Sequence, residues 1–272
     1  MATANRVSDR GLPMLPPEFG ATRDYVHDVS KVLGKLQQSF VKSAPHYWHV
    51  GLRVVPGGLA TQPMSVGGAV LVAEIDLALG EIRLGAERWP LADYSGPRLL
   101  QAVQTWAQAA GLVEAIEMPA FAPEPPAYNA AAAGTLGHLL TWAGERLETV
   151  AATYPRDMAS PVLLYPHHFD ISAVRFFEPA AAAPDEARQL GLGFSLGDDM
   201  IAEPYYYATL YPGAEQLNTV ALPPGAEWVT AGFTGLVLRY SALQQVAHPD
   251  RVVEAFGQAA IARALESDPQ KA

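Results

Sequence analysis

The chain predicts an α+β fold, mostly antiparallel sheet with about four long helices, and three observations carry that reading. Apolar residues recur every three or four positions over four long stretches, as an amphipathic helix requires. Between these stretches lie short runs that alternate apolar and polar residues, the period of half-buried strands. The runs cluster between Gly and Pro turns without the regular β–α alternation of a doubly wound sheet. A single continuous α/β sheet is the alternative.

The elements follow in order. Residues 1–18 read as an extended arm, because each of Pro13, Pro16 and Pro17 restrains itself and its predecessor. Over 21–42, Tyr25, Val29, Val32/Leu33, Leu36 and Phe40 make a helical stripe; His27, Lys31, Lys35 and Gln38 fall on the other side as a solvated face, and Pro45 ends the helix. "HYWHVGLRVVPGG" alternates, with Trp48, Val50, Leu52 and Val54 facing one way and His49, Gly51, Arg53 and Val55 the other. "AVLVAEIDLALGEIRL" reads as two strands meeting at Gly80. "SGPRLLQAVQTWAQAAG" is a helix with Ser95 as N-cap, an apolar stripe of Leu99/Leu100, Val103, Trp106/Ala107 and Ala110, and Gly111 at C′; "VEAIEM" follows as a short strand.

Residues 119–129, rich in proline, read as a linker between a first unit at 19–118 and a second at 130–266, both in one compact body. The second opens with a helix over 130–154 that turns Leu136, Leu139/Leu140, Ala143, Leu147 and Val150 inward. Strands are expected at 161–166, 169–177, 190–195, 204–211 and 228–239, and a last helix at 249–265 buries Val252/Val253, Phe256, Ala260 and Ile261. Both units run helix, Pro-bearing break, His-bearing strands, helix, the pattern an internal duplication would leave.

Composition excludes several classes of function. Half of the 272 residues are hydrophobic and 17% are charged, the composition of a globular chain. Net charge is −10 with no basic cluster, so nucleic acid and anionic membranes are poor partners, and a small-molecule ligand is the partner to expect. Absence of cysteine removes disulfides, thiolate nucleophiles and Cys-held metals. With no apolar signal segment or membrane-length run, the expectation is a soluble, cytoplasmic protein.

The chemistry-bearing residues fall into three groups. His168 and Asp170 are two apart, on one face if this is a strand, where the carboxylate could orient the imidazole as an acid/base; His167 then points away. The same H-x-D opens the facial triad of non-haem iron oxygenases, with His248 as a third ligand, although no Arg-x-Ser follows it. His49 and Arg53 share a face in the strand reading and suit an anionic group. In "GFSLGDDMIAEPYYYATLYP" the chain does not run strand–turn–helix around Ser195, so no nucleophile elbow forms, and Asp198, Asp199 and Glu203 lack the rest of a calcium loop. Glu203, Tyr205 and Tyr207 can line a polar pocket, or serve as an ordinary half-exposed strand.

Three blocks in register, "VHDVSKVLGKL…HYWHVGLRVVPGGLATQPM", "SPVLLYPHHFDISAVRF" and "GFSLGDDMIAEPYYYATLYP", resemble an uncharacterised bacterial domain-of-unknown-function family across nearly the whole chain. The resemblance implies no reaction, substrate or cofactor. It places emphasis on His27, Lys35, His46, Trp48 and His49, then on Phe169, Asp170, Arg175, Glu203, Pro204, Tyr205 and Tyr207, while His167 departs from the family pattern.

Two functional expectations result. In the first, a small-molecule enzyme or binding protein has a pocket between the two units, with His168 as acid/base, Asp170 its orienter, Arg53 an anion clamp, and His49, Glu203, Tyr205 and Tyr207 as ligand-binding groups. In the second, the same residues form a buried polar network in a non-catalytic structural or interaction protein. The residues name neither a metal nor a cofactor.

Overall fold

A computed structural model of the chain describes residues 12–112 and 114–267. Residues 1–11, most of the expected arm, lie outside the described residues; Leu12, where the description begins, is buried. The fold is α+β, with four long helices and antiparallel sheets. The chain divides into two compact units: the first holds Pro13–Thr141 and Leu163–Phe169, the second Trp142–Val162 and the residues from Asp170 onward.

Unit 1 is organised on α1 (Phe19–Phe40), whose stripe of Tyr25, Val26, Val29, Val32, Leu33 and Leu36 is buried. Each large aliphatic side chain so buried contributes roughly 1.5–3 kcal/mol. The strand expected to start at His46 does not form there. Pro45–Val50 is a 3₁₀ segment in which His46 and Tyr47 take left-handed backbone, φ 51° and 59°. Two side-chain amides satisfy the carbonyls that a ladder would otherwise engage. Gln37 Nε2 donates to the oxygens of His49 (2.6 Å) and Gly51 (3.1 Å), and Gln62 Nε2 donates to that of Trp48 (2.6 Å). Regular strand begins only at β1 (Arg53–Val55).

From β1 the sheet runs as an antiparallel meander through β2 (Gly58–Ala60), β5 (Ala73–Asp76), β6 (Glu81–Leu84) and β7 (Glu87–Pro90). β3 (Met64–Val66) and β4 (Ala69–Leu71) form a separate hairpin inserted between β2 and β5, so the first strand of the "AVLVAEIDL" run breaks in two. α2 (Gly96–Ala109) buries Leu99, Val103 and Ala107, with Ser95 at its N-cap position and Gly111 beyond its C-terminus at φ 97°. Residues 114–118 form no strand, and Val113 lies outside the described residues.

The Pro-rich 119–129 stretch packs within unit 1. Ala122 N donates to Asp28 Oδ2 (3.2 Å), Asn129 N donates to Thr22 Oγ1 (3.2 Å), and the Tyr128 ring lies 5.2 Å from that of Tyr25. β8 (Leu163–Tyr165) returns to this unit, where Leu164 and Leu52 exchange both backbone hydrogen bonds at 2.8 Å. α3 (Ala130–Ala151) gives its first half to unit 1 and its second to unit 2, and buries Leu136, Leu139, Leu140, Ala143, Leu147 and Val150 as its periodicity predicts.

In unit 2, β9 (Asp170–Phe176), β10 (Gln189–Ser195) and β11 (Tyr205–Tyr211) form an antiparallel meander. The stretch expected as one strand at 228–239 is a hairpin of β12 (Ala226–Val229) and β13 (Gly235–Arg239), and β13 rather than β12 pairs with β11. The first sheet is a meander throughout, whereas the second departs from a meander at this last hairpin. After the short α4 (Tyr240–Leu243), α5 (Pro249–Glu266) buries Val253, Phe256, Ala260 and Ala264. The Arg188 guanidinium stacks on Phe177 at 4.8 Å and donates to the oxygens of Ser267 (3.2 Å) and Ala264 (3.5 Å), holding the open carbonyls at the end of α5.

Candidate functional site

In unit 2 the expected site residues bond mainly to the fold around them. The Tyr207 hydroxyl donates to Asp170 Oδ2, and that of Tyr205 donates to Asp198 Oδ2 at 2.6 Å. Asp198 in turn accepts from the backbone N–H groups of Met200 (2.8 Å) and Ile201 (2.9 Å), pinning the loop before β11. Burial first, and then the adjacent carboxylate, raises both phenol pKa values well above their ordinary range, so both phenols stay protonated. Their rings pack with Ile201, Val237 and Phe233.

Glu203 does not share their phase. It precedes Pro204 and the start of β11, and its carboxylate accepts from Ser241 N (2.7 Å) and Ser241 Oγ (3.0 Å). Tyr207→Phe removes the phenolic donor from Asp170, and loss of a hydrogen bond to a charged group predicts a destabilisation of about 2 kcal/mol. Urea unfolding of the two proteins at neutral pH measures it; equal midpoints would exclude a stabilising network here.

The pairing of His168 with Asp170 on one strand face is overturned. His168 sits in a turn over 166–169, inside unit 1, and β9 begins only at Asp170, so strand alternation does not relate the two side chains. His49 and Arg53 likewise do not share a strand face, since His49 belongs to the 3₁₀ segment. Its Nδ1 accepts from Ala44 N (3.1 Å), while Arg53 Nε donates to Thr61 O (3.1 Å). The iron-type triad is not assembled: among the described residues no three His, Asp or Glu side chains gather as metal ligands, and His248 is the residue that precedes α5.

Unit 1 brings together a different set. The three non-glycine residues with left-handed backbone among the described residues are His46, Tyr47 and Phe169. They lie in the two turns that leave the same end of the Leu52–Leu164 bridge, since residues before 52 run beside residues after 164 in an antiparallel pair. Gly34 of α1 lies beneath both turns: a Cβ there would come within 3.0 Å of Pro166 and 3.9 Å of the Val50 carbonyl. Left-handed backbone at a bulky residue costs of order 1–3 kcal/mol and persists only where its surroundings impose it.

At Phe169, φ 56° lays the buried ring against His27 of α1, centroids 4.9 Å apart and planes within 11° of parallel. His27 Nε2 lies 2.8 Å from Pro166 O and must be the donor, which leaves Nδ1 of the neutral ring as an acceptor. Burial above all, then the Lys31 charge, lowers the His27 pKa to about 4, against the opposing pull of the Pro166 hydrogen bond and of Asp28 and Asp24.

His27 lies on the wall of a cleft of about 570 Å³, formed by Asp24, His27, Asp28 and Lys31 of α1 and by residues 120–122 and 124–126 opposite. Lys31 and Lys35 are not a solvated face: their side chains are only 18% and 23% exposed, because the segment following α2 covers them. Lys31 Nζ donates to Asp28 Oδ1 (3.0 Å) and to Ala120 O (3.0 Å), and Lys35 pairs with Glu117 at 2.6 Å. Asp28, 4% exposed, holds Ala122 N with its other oxygen, and Gly96 leaves room beside it for Phe121. Asp28 was legible in principle, being a charged residue at the spacing of the buried stripe of Tyr25, Val29 and Val32. Glu124 and Phe121 had no sequence signal beyond their place in the Pro-rich stretch.

These features define an α+β protein with a polar cleft on the first helix of its first unit. Residues 12–92 and 98–268 match the family model of DUF5996, a family of unknown function, and the chain belongs to that family. No curated protein and no solved structure matches it. Among the described residues no helix is long and apolar enough to cross a membrane.

Proposed function

We propose that this chain is a small-molecule-binding protein whose site is the cleft along α1, with His27 as its central hydrogen-bonding group. One observation carries the reading. A neutral imidazole is fixed at the cleft wall by a hydrogen bond to Pro166 O and by a stack on Phe169, whose left-handed backbone is the cost of that placement. Cleft volume falls in the range of small-ligand sites.

The chemistry favours binding over acid–base catalysis. A general base works best with a pKa near the operating pH, and an imidazole at about 4 is a hydrogen-bond acceptor at neutral pH rather than a proton carrier. A second reading, that Asp170, Tyr205, Tyr207 and Glu203 are a structural network of unit 2, draws support from their bonds to Asp198, to Ser241 and to one another. The test is a fragment screen on the isotope-labelled full chain read by amide chemical shifts. Hits should move amides of residues 21–31 and 120–126 together. A screen whose hits leave both segments unmoved, or that finds none, would sink the proposal.

A further inference from the structure

The hydrogen-bonding inventory of the cleft allows its ligand class to be narrowed, an inference that rests on the binding role just proposed. Its few donors are mostly spent. Lys31 Nζ is engaged by Asp28 Oδ1 and Ala120 O, each at 3.0 Å, and its charge is neutralised by Asp28. The His27 Nε2–H is given to Pro166 O, and Ala122 N is given to Asp28 Oδ2. What the cleft side chains still offer is acceptors. They are Nδ1 of His27, the Oδ2 of Asp24 (whose Oδ1 holds Arg23), and the carboxylate of Glu124, for which no ion pair forms among the described residues.

Charge points the same way. Of the cleft's ionised groups, Lys31 cancels Asp28, and Arg23 beside the cleft cancels Asp24, which leaves Glu124 in excess in a chain already at −10. An anion entering here would meet no free cation and a repulsive field. Beside these acceptors stand apolar surfaces, Phe121, Pro125 and Pro126, suited to a hydrocarbon stem.

We propose that the cleft of unit 1 takes a small aliphatic amine, its ammonium shared among Glu124, Asp24 and the His27 ring nitrogen and its carbon chain laid on Phe121, Pro125 and Pro126. Lys31 and Asp28 stay paired and act as the fixed floor. The ammonium supplies the three donors that the cleft lacks.

Matched four-carbon probes test it on the full chain: 1,4-diaminobutane and n-butylamine against butyrate and n-butanol, each titrated into labelled protein with amide shifts recorded. The amines are expected to move amides of residues 21–31 and 120–126 saturably, and more weakly as salt is raised. Glu124→Gln should weaken the diamine about threefold, and Asp24→Asn with Glu124→Gln roughly tenfold, the scale of solvent-facing charge pairs. Both positions are on the surface, so an unchanged melting temperature certifies the variants. If butyrate or butanol moves these amides and the amines do not, the ligand class is wrong while the cleft remains a binding site. If amines shift only residues elsewhere, or bind the double variant undiminished, the class is also overturned. If none of the four probes moves the cleft amides while the fragment screen finds a cleft hit, only this inference falls; silence in both removes the binding role itself.

Discussion

Gly193→Ala is expected to lower the stability of the chain by roughly 3–4 kcal/mol. Gly193 pairs with Tyr207 across β10 and β11, and the Tyr207 ring lies directly over it. A Cβ at Gly193 would stand 2.2 Å from Cζ of that ring, 2.3 Å from its hydroxyl and 2.6 Å from Cε1. The phenol cannot yield along its axis, because its hydroxyl is fixed on Asp170 and its ring meets that of Phe233 in a T-shaped contact at 6.3 Å. The ring must therefore leave, and the cost is overpacking together with the lost charge-assisted hydrogen bond. For a domain with 5–15 kcal/mol in hand this is a large fraction of stability. It should appear as a fall in melting temperature of about 10 °C. A double-mutant cycle with Tyr207→Ala checks the cause: in that background the alanine at 193 should cost little, with a coupling of about 2 kcal/mol or more. Additive effects would mean that Gly193 serves something other than the tyrosine.

That contact illustrates what the sequence could and could not convey. The Tyr205/Tyr207 alternation was visible because a strand's period of two needs only local residues, and the helical stripes of α1, α2, α3 and α5 were visible for the same reason. Which glycine the tyrosine would cover depended on the register of β10 against β11, a non-local fact. The failures have one physical origin as well. "HYWHVGLRVV" alternates as a strand should, yet Gln37 and Gln62, distant in sequence, capture the carbonyls of Trp48, His49 and Gly51, and the segment, with His46 and Tyr47 in left-handed backbone, is a 3₁₀ turn instead. In "PHHFD" the two-residue spacing of His168 and Asp170 suggests one strand face, but the segment is a turn that closes on α1, where His27 receives Phe169. In both places a tertiary partner outweighed a local pattern, and the candidate site is built where that happened. His27 and Phe169 carried emphasis from the family resemblance, though nothing local revealed that their rings meet.

The second large effect concerns pH. His27 binds its proton with a pKa of about 4 in the folded chain and near 6.5 when unfolded. Between these values the unfolded chain holds more protons than the folded one, so stability rises with pH across that window and is lost as pH falls from about 6.5 toward 4. Below pH 4 both states are protonated and this group adds no further slope. Its net contribution over the window is roughly 3 kcal/mol, the attraction of Asp24 and Asp28 for an imidazolium being already contained in the folded-state pKa of about 4. Carboxylates titrate over part of the same range, so the contribution is isolated by comparison with His27→Gln, which keeps an amide N–H for Pro166 O but cannot titrate. Urea midpoints measured from pH 4 to 7 should fall more steeply with acid in the wild type than in this variant. The imidazole resonance of His27 should titrate with a midpoint near 4. A midpoint near the unfolded value, or parallel stability profiles, would mean that the ring is not held neutral by its seat between α1, Pro166 and Phe169. The cleft would then lose the acceptor on which its proposed role depends, because an imidazolium repels the ammonium that a neutral imidazole receives.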